Sequence, residues 1–127
     1  MFHALLRTHH ITSRKKVARL KAAAKTYQCF ALLRSGGIPG VMYVCGEHKP
    51  NVQGWVDTVH HLRYKDYQLA APVEAMDETI GKIEPSFACQ LGLLREVDTV
   101  KAMAAMMEQA GQRQWWRNAM GFSNDKQ

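Results

Sequence analysis

Long apolar runs are missing from this sequence. No stretch approaches the roughly 18–20 residues needed to cross a bilayer, which excludes an ordinary transmembrane helix. The opening Met1-Phe2-His3-Ala4-Leu5-Leu6-Arg7 is too short, and too broken by His and Arg, to be a secretion signal. Cysteine is scarce: Cys29, Cys45 and Cys89 lie far apart, are odd in number and form no C-x-x-C pair. Neither a zinc site nor a disulfide framework follows, and buried free thiols in a reducing compartment are expected. Acids are also few, 11 against 17 Lys plus Arg, which leaves a net charge of +6. The first 25 residues contain none. A mitochondrial-type leader shares that composition, but a basic amphipathic helix in the folded domain is the preferred account. The positive balance favours an anionic partner such as RNA.

What is present fits one globular domain. Hydrophobic residues make up 46% of 127 residues, which excludes disordered and low-complexity classes. The domain is expected over 1–122, with a frayed tail at 123–127, in an intracellular setting, nuclear or cytoplasmic.

Phe2, Leu5 and Leu6 mark a strand within 2–10. Thr12-Ser13 offers an N-cap before the basic run Arg14-Lys15-Lys16, and Val17, Leu20, Ala24 and Tyr27 form one apolar face of a helix over about 13–27. Cys29–Arg34 and Val41–Cys45 read as two strands of a hairpin, joined by the turn Ser35-Gly36-Gly37-Ile38-Pro39-Gly40. A second helix begins near Pro50, with Val52, Trp55, Val56 and Val59 on its core face. A strand from Tyr64 ends near Pro72, an acidic connection spans 74–85, and another strand fits 87–94. The spacing of Val100, Met103, Ala104 and Met107 predicts a helix over about 97–110, begun near Asp98 and ended by Gly111. A short helix covers 112–120. The order strand, helix, strand, strand, helix, strand predicts an α+β, ferredoxin-like βαββαβ fold with appended C-terminal helices. Those helices are candidates to cover the second face of the sheet, a point the sequence leaves open.

Catalytic motifs are absent. The doublets His9-His10 and His60-His61 point apart on any regular element, and no acid or Cys stands at ligand spacing, so no metal is expected. Ser13-Arg14-Lys15-Lys16 matches a bare S-x-x-K, but its companion motifs are missing and Ser13 suits a helix cap. The glycines at 36, 37 and 40 lack the Lys-Ser/Thr of a phosphate loop and precede a strand rather than a helix. No enzyme, cofactor or small-molecule substrate is expected.

The basic cluster is the most informative feature. At about 100° per residue, Arg14, Lys21 and Lys25 fall within about 40° of one another on the first helix. Lys15 and Arg19 form a neighbouring stripe. Such clusters neutralise phosphates, although a merely solvated helix face has the same pattern. The strand Gly40-Val-Met-Tyr-Val-Cys-Gly46 carries only Tyr43 where an RNA-recognition motif carries several stacking aromatics, so an ordinary RNA-recognition motif is excluded.

Three segments taken together resemble one family: His9-His10-Ile11-Thr12-Ser13-Arg14-Lys15, Gly37-Ile38-Pro39-Gly40-Val-Met-Tyr-Val-Cys45-Gly46, and the helix end His61-Leu62-Arg63-Tyr64. They are similar to the domain that follows the RWD domain in RWD-domain-containing proteins. A similar domain forms the C-terminus of the spliceosomal pre-mRNA processing factor three. The likeness spans roughly residues 2–70 and fits either a stand-alone member or one domain of a longer chain. It implies a ferredoxin-like fold without enzymatic activity and, as in the splicing factor, contact with small nuclear RNA. Ile38 replaces the family's turn lysine and Cys45 its glutamate before glycine, whereas Lys49 sits near a family lysine.

The expectation is therefore a non-catalytic RNA- or ribonucleoprotein-binding domain. Its phosphate contacts would come from Arg14, Lys15, Lys16, Lys21, Lys25 and Lys49, with His10 and Arg63 in support. The rival is a protein-interaction module with an apolar patch at Met106, Trp115 and Trp116.

Overall fold

The computed structural model describes residues 1–77, 87 and 90–122. Among them the chain forms five strands and four helices, a mixed α+β arrangement. In order these are β1 (Phe2–Thr8), α1 (Arg14–Thr26), β2 (Phe30–Arg34), β3 (Gly40–Gly46), α2 (Lys49–His61), β4 (Gln68–Ala75), β5 (Leu94–Val97), α3 (Val100–Gln109) and α4 (Arg113–Met120). The strands make one sheet in the order β4-β1-β3-β2-β5. Neighbours run antiparallel except β5, which lies parallel to β2.

Side chains alternate across a strand, and here both faces are apolar. Ala4, Leu6, Ala31, Leu33, Met42 and Val44 pack against Val17, Leu20 and Ala24 of α1 and Val52, Trp55, Val56 and Val59 of α2. The alternate residues Leu5, Phe30, Leu32, Val41, Tyr43 and Cys45 pack against Met103 and Met107 of α3 and Trp116 and Met120 of α4. The C-terminal helices thus cover the second sheet face. Each large side chain so buried contributes about 1.5–3 kcal/mol.

Local chemistry sets the element ends. The Ser13 hydroxyl accepts from the Lys16 amide at 3.2 Å and caps α1. Gly121, at φ 89°, closes α4 in a left-handed cap. At Gly40 a Cβ would collide with the Thr8 hydroxyl and the Ile11 side chain, which favours glycine where the hairpin turn meets the end of β1. That turn is pinned by Arg34, which donates to the Pro39 carbonyl at 2.9 Å and the Asp98 carbonyl at 3.0 Å.

Three expectations are corrected. The strand expected from Tyr64 starts later, at Gln68, and passes through Pro72 instead of stopping there. Among the described residues its neighbour in the sheet is β1 alone, so a residue without an N–H is tolerated on the other side. The strand expected over 87–94 is displaced to Leu94–Val97, because parallel pairing with β2 holds that segment. In turn α3 begins at Val100 and is capped by Thr99, whose hydroxyl accepts from the Ala102 amide at 3.0 Å, rather than starting near Asp98. Residues 78–85 of the acidic connection, residues 88 and 89 of the strand expected over 87–94, and the tail 123–127 lie outside the described residues.

Candidate nucleic-acid interface

Helix α1 buries one apolar stripe, so its remaining arc of Arg and Lys must face outward. Lys15, Arg19, Lys21 and Lys25 are exposed, and none has a carboxylate partner among the described residues. Lys16 is half-buried, with its ammonium 4.8 Å from the centre of the Tyr64 ring, a cation–π contact that fixes the long side chain.

Arg14 behaves differently. Its guanidinium forks onto Glu96 of β5 at 2.8 and 3.3 Å, and the Ser35 hydroxyl donates to the same carboxylate at 2.8 Å. The charge expected at Arg14 for phosphate contact is therefore already compensated, because α1 crosses above the β5 edge where Glu96 projects. Arg14 is a tether between helix and sheet.

Trp55 at the centre of α2 donates its indole N–H to the Leu20 carbonyl of α1 at 3.1 Å. The start of α1 lies beside the end of α2, and Tyr27 at the end of α1 packs on Gly54. The two helices therefore run antiparallel, which sets basic residues at both ends of the pair. Lys25 and Lys49 stand at one end. Lys15, Lys16 and Arg19 stand at the other, where Ser13, His61 and Leu62 complete a cleft of about 350 Å³. Exposed Arg63 follows directly after α2 at φ 56°. His10 is exposed with its ring 4.9 Å from that of His9, which in turn lies 3.4 Å from the Asp66 carboxylate.

Arg19 and His61 were not among the sequence-predicted contacts. Arg19 was legible as the neighbour of Lys15 on its stripe. His61 joins them only through the pairing of helix ends, which no local pattern encodes. The His60 and His61 rings meet at 87°, and no cluster of three or more His, Cys, Asp or Glu suited to a metal occurs among the described residues.

Of the residues expected at an apolar interface, one is corrected. Trp116 is 1% exposed and belongs to the core between α4 and the sheet. Half-buried Trp115 and Met106 pack against the same cluster. The physical reason is the uncovered sheet face: its apolar residues draw these side chains inward. Trp115 stacks on His3 at 3.8 Å and donates its indole N–H to Glu74. His3, 1% exposed, shares a 2.9 Å hydrogen bond with the Tyr43 hydroxyl. Burial, aided by the nearby N-terminal ammonium, lowers the His3 pKa from 6.5 to about 4. Tyr43 is thus a core residue. Burial pushes the Cys29 thiol up to about 11 and the Cys45 thiol up to about 12, so neither is an activated nucleophile. No helix among the described residues is long and apolar enough to cross a membrane.

No family model matches the chain, and no curated protein does. A solved structure of a bacterial light-regulated adenylyl cyclase is similar to it at 13% identity and a TM-score of 0.46. That similarity covers 93% of this chain and 35% of the other, so the chain spans about a third of that protein's length.

Proposed function

We propose that this chain is a non-catalytic, ferredoxin-like domain that binds RNA through phosphates. It would act in the nucleus or cytoplasm as an RNA or ribonucleoprotein component. The observation that carries the reading is the set of exposed cations Lys15, Arg19, Lys21 and Lys25 on one helix, without carboxylate partners among the described residues, beside Lys16 and with Lys49 at the start of α2 and Arg63 just beyond its end. The contrast with Arg14, which is held by Glu96, makes the point. Arg14 is paired, whereas Lys15, Arg19, Lys21 and Lys25 have no carboxylate partner among the described residues. The resemblance to the domain that follows the RWD domain, and to the C-terminus of the spliceosomal factor, supports the same reading.

Both sheet faces are covered by helices, and Tyr43 lies beneath α4, so bases have no aromatic platform on the sheet. Recognition would therefore be electrostatic and directed to the backbone, in the manner of proteins that read RNA by shape and phosphate position.

The test is fluorescence anisotropy of labelled single-stranded and duplex RNA at several salt concentrations. Saturable binding with a salt slope equal to about three to six phosphate contacts is expected. The Lys15→Gln/Lys21→Gln/Lys25→Gln variant should lower the slope by about one per lost contact while leaving the fold unchanged. Binding that is independent of salt, or unaffected by that variant, would remove α1 from the interface.

A further inference from the structure

We infer that the cleft between the start of α1 and the end of α2 receives a phosphate monoester, the terminal phosphate of an RNA strand. This assignment rests on the RNA reading above and narrows it to a chain end. The cleft, about 350 Å³, is walled by Ser13, Lys15, Lys16, Arg19, His61 and Leu62, with no Asp or Glu of the described residues among its walls. That volume falls within the range of about 300–1,000 Å³ typical of small-ligand sites, enough for a terminal nucleotide.

Three of the six walls are standing cations from one helix, and the fourth basic group comes from the other. His61 is held by a 2.7 Å hydrogen bond between Nδ1 and the Asp57 carbonyl. A carbonyl only accepts, so Nδ1 carries the proton and Nε2 is the free ring nitrogen. Lys16 is restrained by Tyr64, so part of the cost of ordering its side chain is already met. Arg19 brings a planar fork suited to two phosphate oxygens, and Lys15 a mobile point charge.

Charge decides between a chain end and the interior of a strand. A monoester carries about −1.5 to −2 at neutral pH and three terminal oxygens. An internal phosphodiester carries a single negative charge. Converging cations therefore attract the monoester roughly twice as strongly, whereas Lys21, Lys25 and Lys49 lie outside the cleft. The cleft is where the positive charge converges instead of spreading along a helix.

The experiment uses three internally labelled oligoribonucleotides of one sequence: one with a 5′-phosphate, one with a 3′-phosphate, and one with hydroxyls at both ends. One phosphorylated form should bind about tenfold tighter than the hydroxyl form, and the pair of arms identifies which end is taken. Lys15→Gln/Arg19→Gln should abolish that preference, since both side chains are exposed and neither supports the core. Lys21→Gln/Lys25→Gln should weaken all three oligonucleotides alike and keep the preference. Equal affinity for all three would overturn the terminal-phosphate assignment and leave the RNA reading standing. Failure of all three to bind would overturn the RNA reading and the assignment with it.

Discussion

His3 gives the domain a defined sensitivity to acid. It is 1% exposed, bonded to the Tyr43 hydroxyl at 2.9 Å and covered by the Trp115 ring at 3.8 Å. Burial, with a smaller contribution from the N-terminal ammonium, lowers its pKa from 6.5 to about 4. Between those values the unfolded chain binds a proton that the folded chain excludes. Stability from this group is therefore full above pH 6.5 and is lost as pH falls through 4. The gap of about 2.5, at about 1.36 kcal/mol each, makes the whole loss about 3 kcal/mol. By the same linkage about 2 kcal/mol is already gone at pH 5. Urea unfolding followed by tryptophan fluorescence at pH 7.5 and 5.0 reads this directly. The comparator is His3→Gln, which offers Tyr43 an amide partner and does not titrate. Carboxylates affect both proteins alike, so the stability difference between them should narrow by about 2 kcal/mol between the two pH values. Parallel curves would refute the reasoning and mean that His3 protonates in place without cost.

Truncation of Trp116 to Ala should cost about 3–5 kcal/mol, as for other large core side chains. Trp116→Phe should cost less than about 1.5 kcal/mol, because the indole N–H it removes is buried without a hydrogen-bond partner; both values come from urea midpoints. A double-mutant cycle on Arg14→Ala and Glu96→Ala should return a coupling of only about 0.2–1 kcal/mol, since the Arg14 side chain is 65% exposed. A coupling well above that range would make the tether a stability element rather than a surface pair. In a Cys89→Ser background, native protein at pH 8 should resist a thiol reagent while urea-unfolded protein reacts at two sites, Cys29 and Cys45. Rapid native reaction would contradict the raised thiol pKa values.

Elements whose signals are local were legible in the sequence. The apolar spacing Val52, Trp55, Val56, Val59 and the Ser13 cap located α2 and α1, and the Gly-Pro turn located the hairpin. The misplaced elements depend on pairing. Pro72 ends a strand if both neighbours need its N–H, and only the edge position of β4 relieves that need. The four residues of β5 carry no pattern of their own and take their conformation from β2. The candidate site divides along the same line. The exposed stripe of α1 follows from helical geometry, whereas the neutralisation of Arg14 by Glu96, 82 positions away, and the arrival of His61 beside Arg19 are tertiary facts. Trp115 and Trp116 read as surface anchors only while the second face of the sheet is imagined open.

The route by which β1 is completed also bears on biosynthesis. Strand β1 is finished by α4, more than a hundred residues later in the chain: Arg7 donates to the Met120 carbonyl at 3.3 Å, and His3 receives the Trp115 ring. At about 5–20 residues per second, synthesis places roughly 5–25 s between those two segments. During that interval α1 and α2 can close one side of the sheet, while Leu5, Phe30, Leu32, Val41 and Tyr43 on the other side await α3 and α4. The nascent chain thus presents a broad apolar surface to the cell until α3 and α4 emerge. Fragments that stop before residue 100 should collect in aggregates or on chaperones rather than persist as free half-domains.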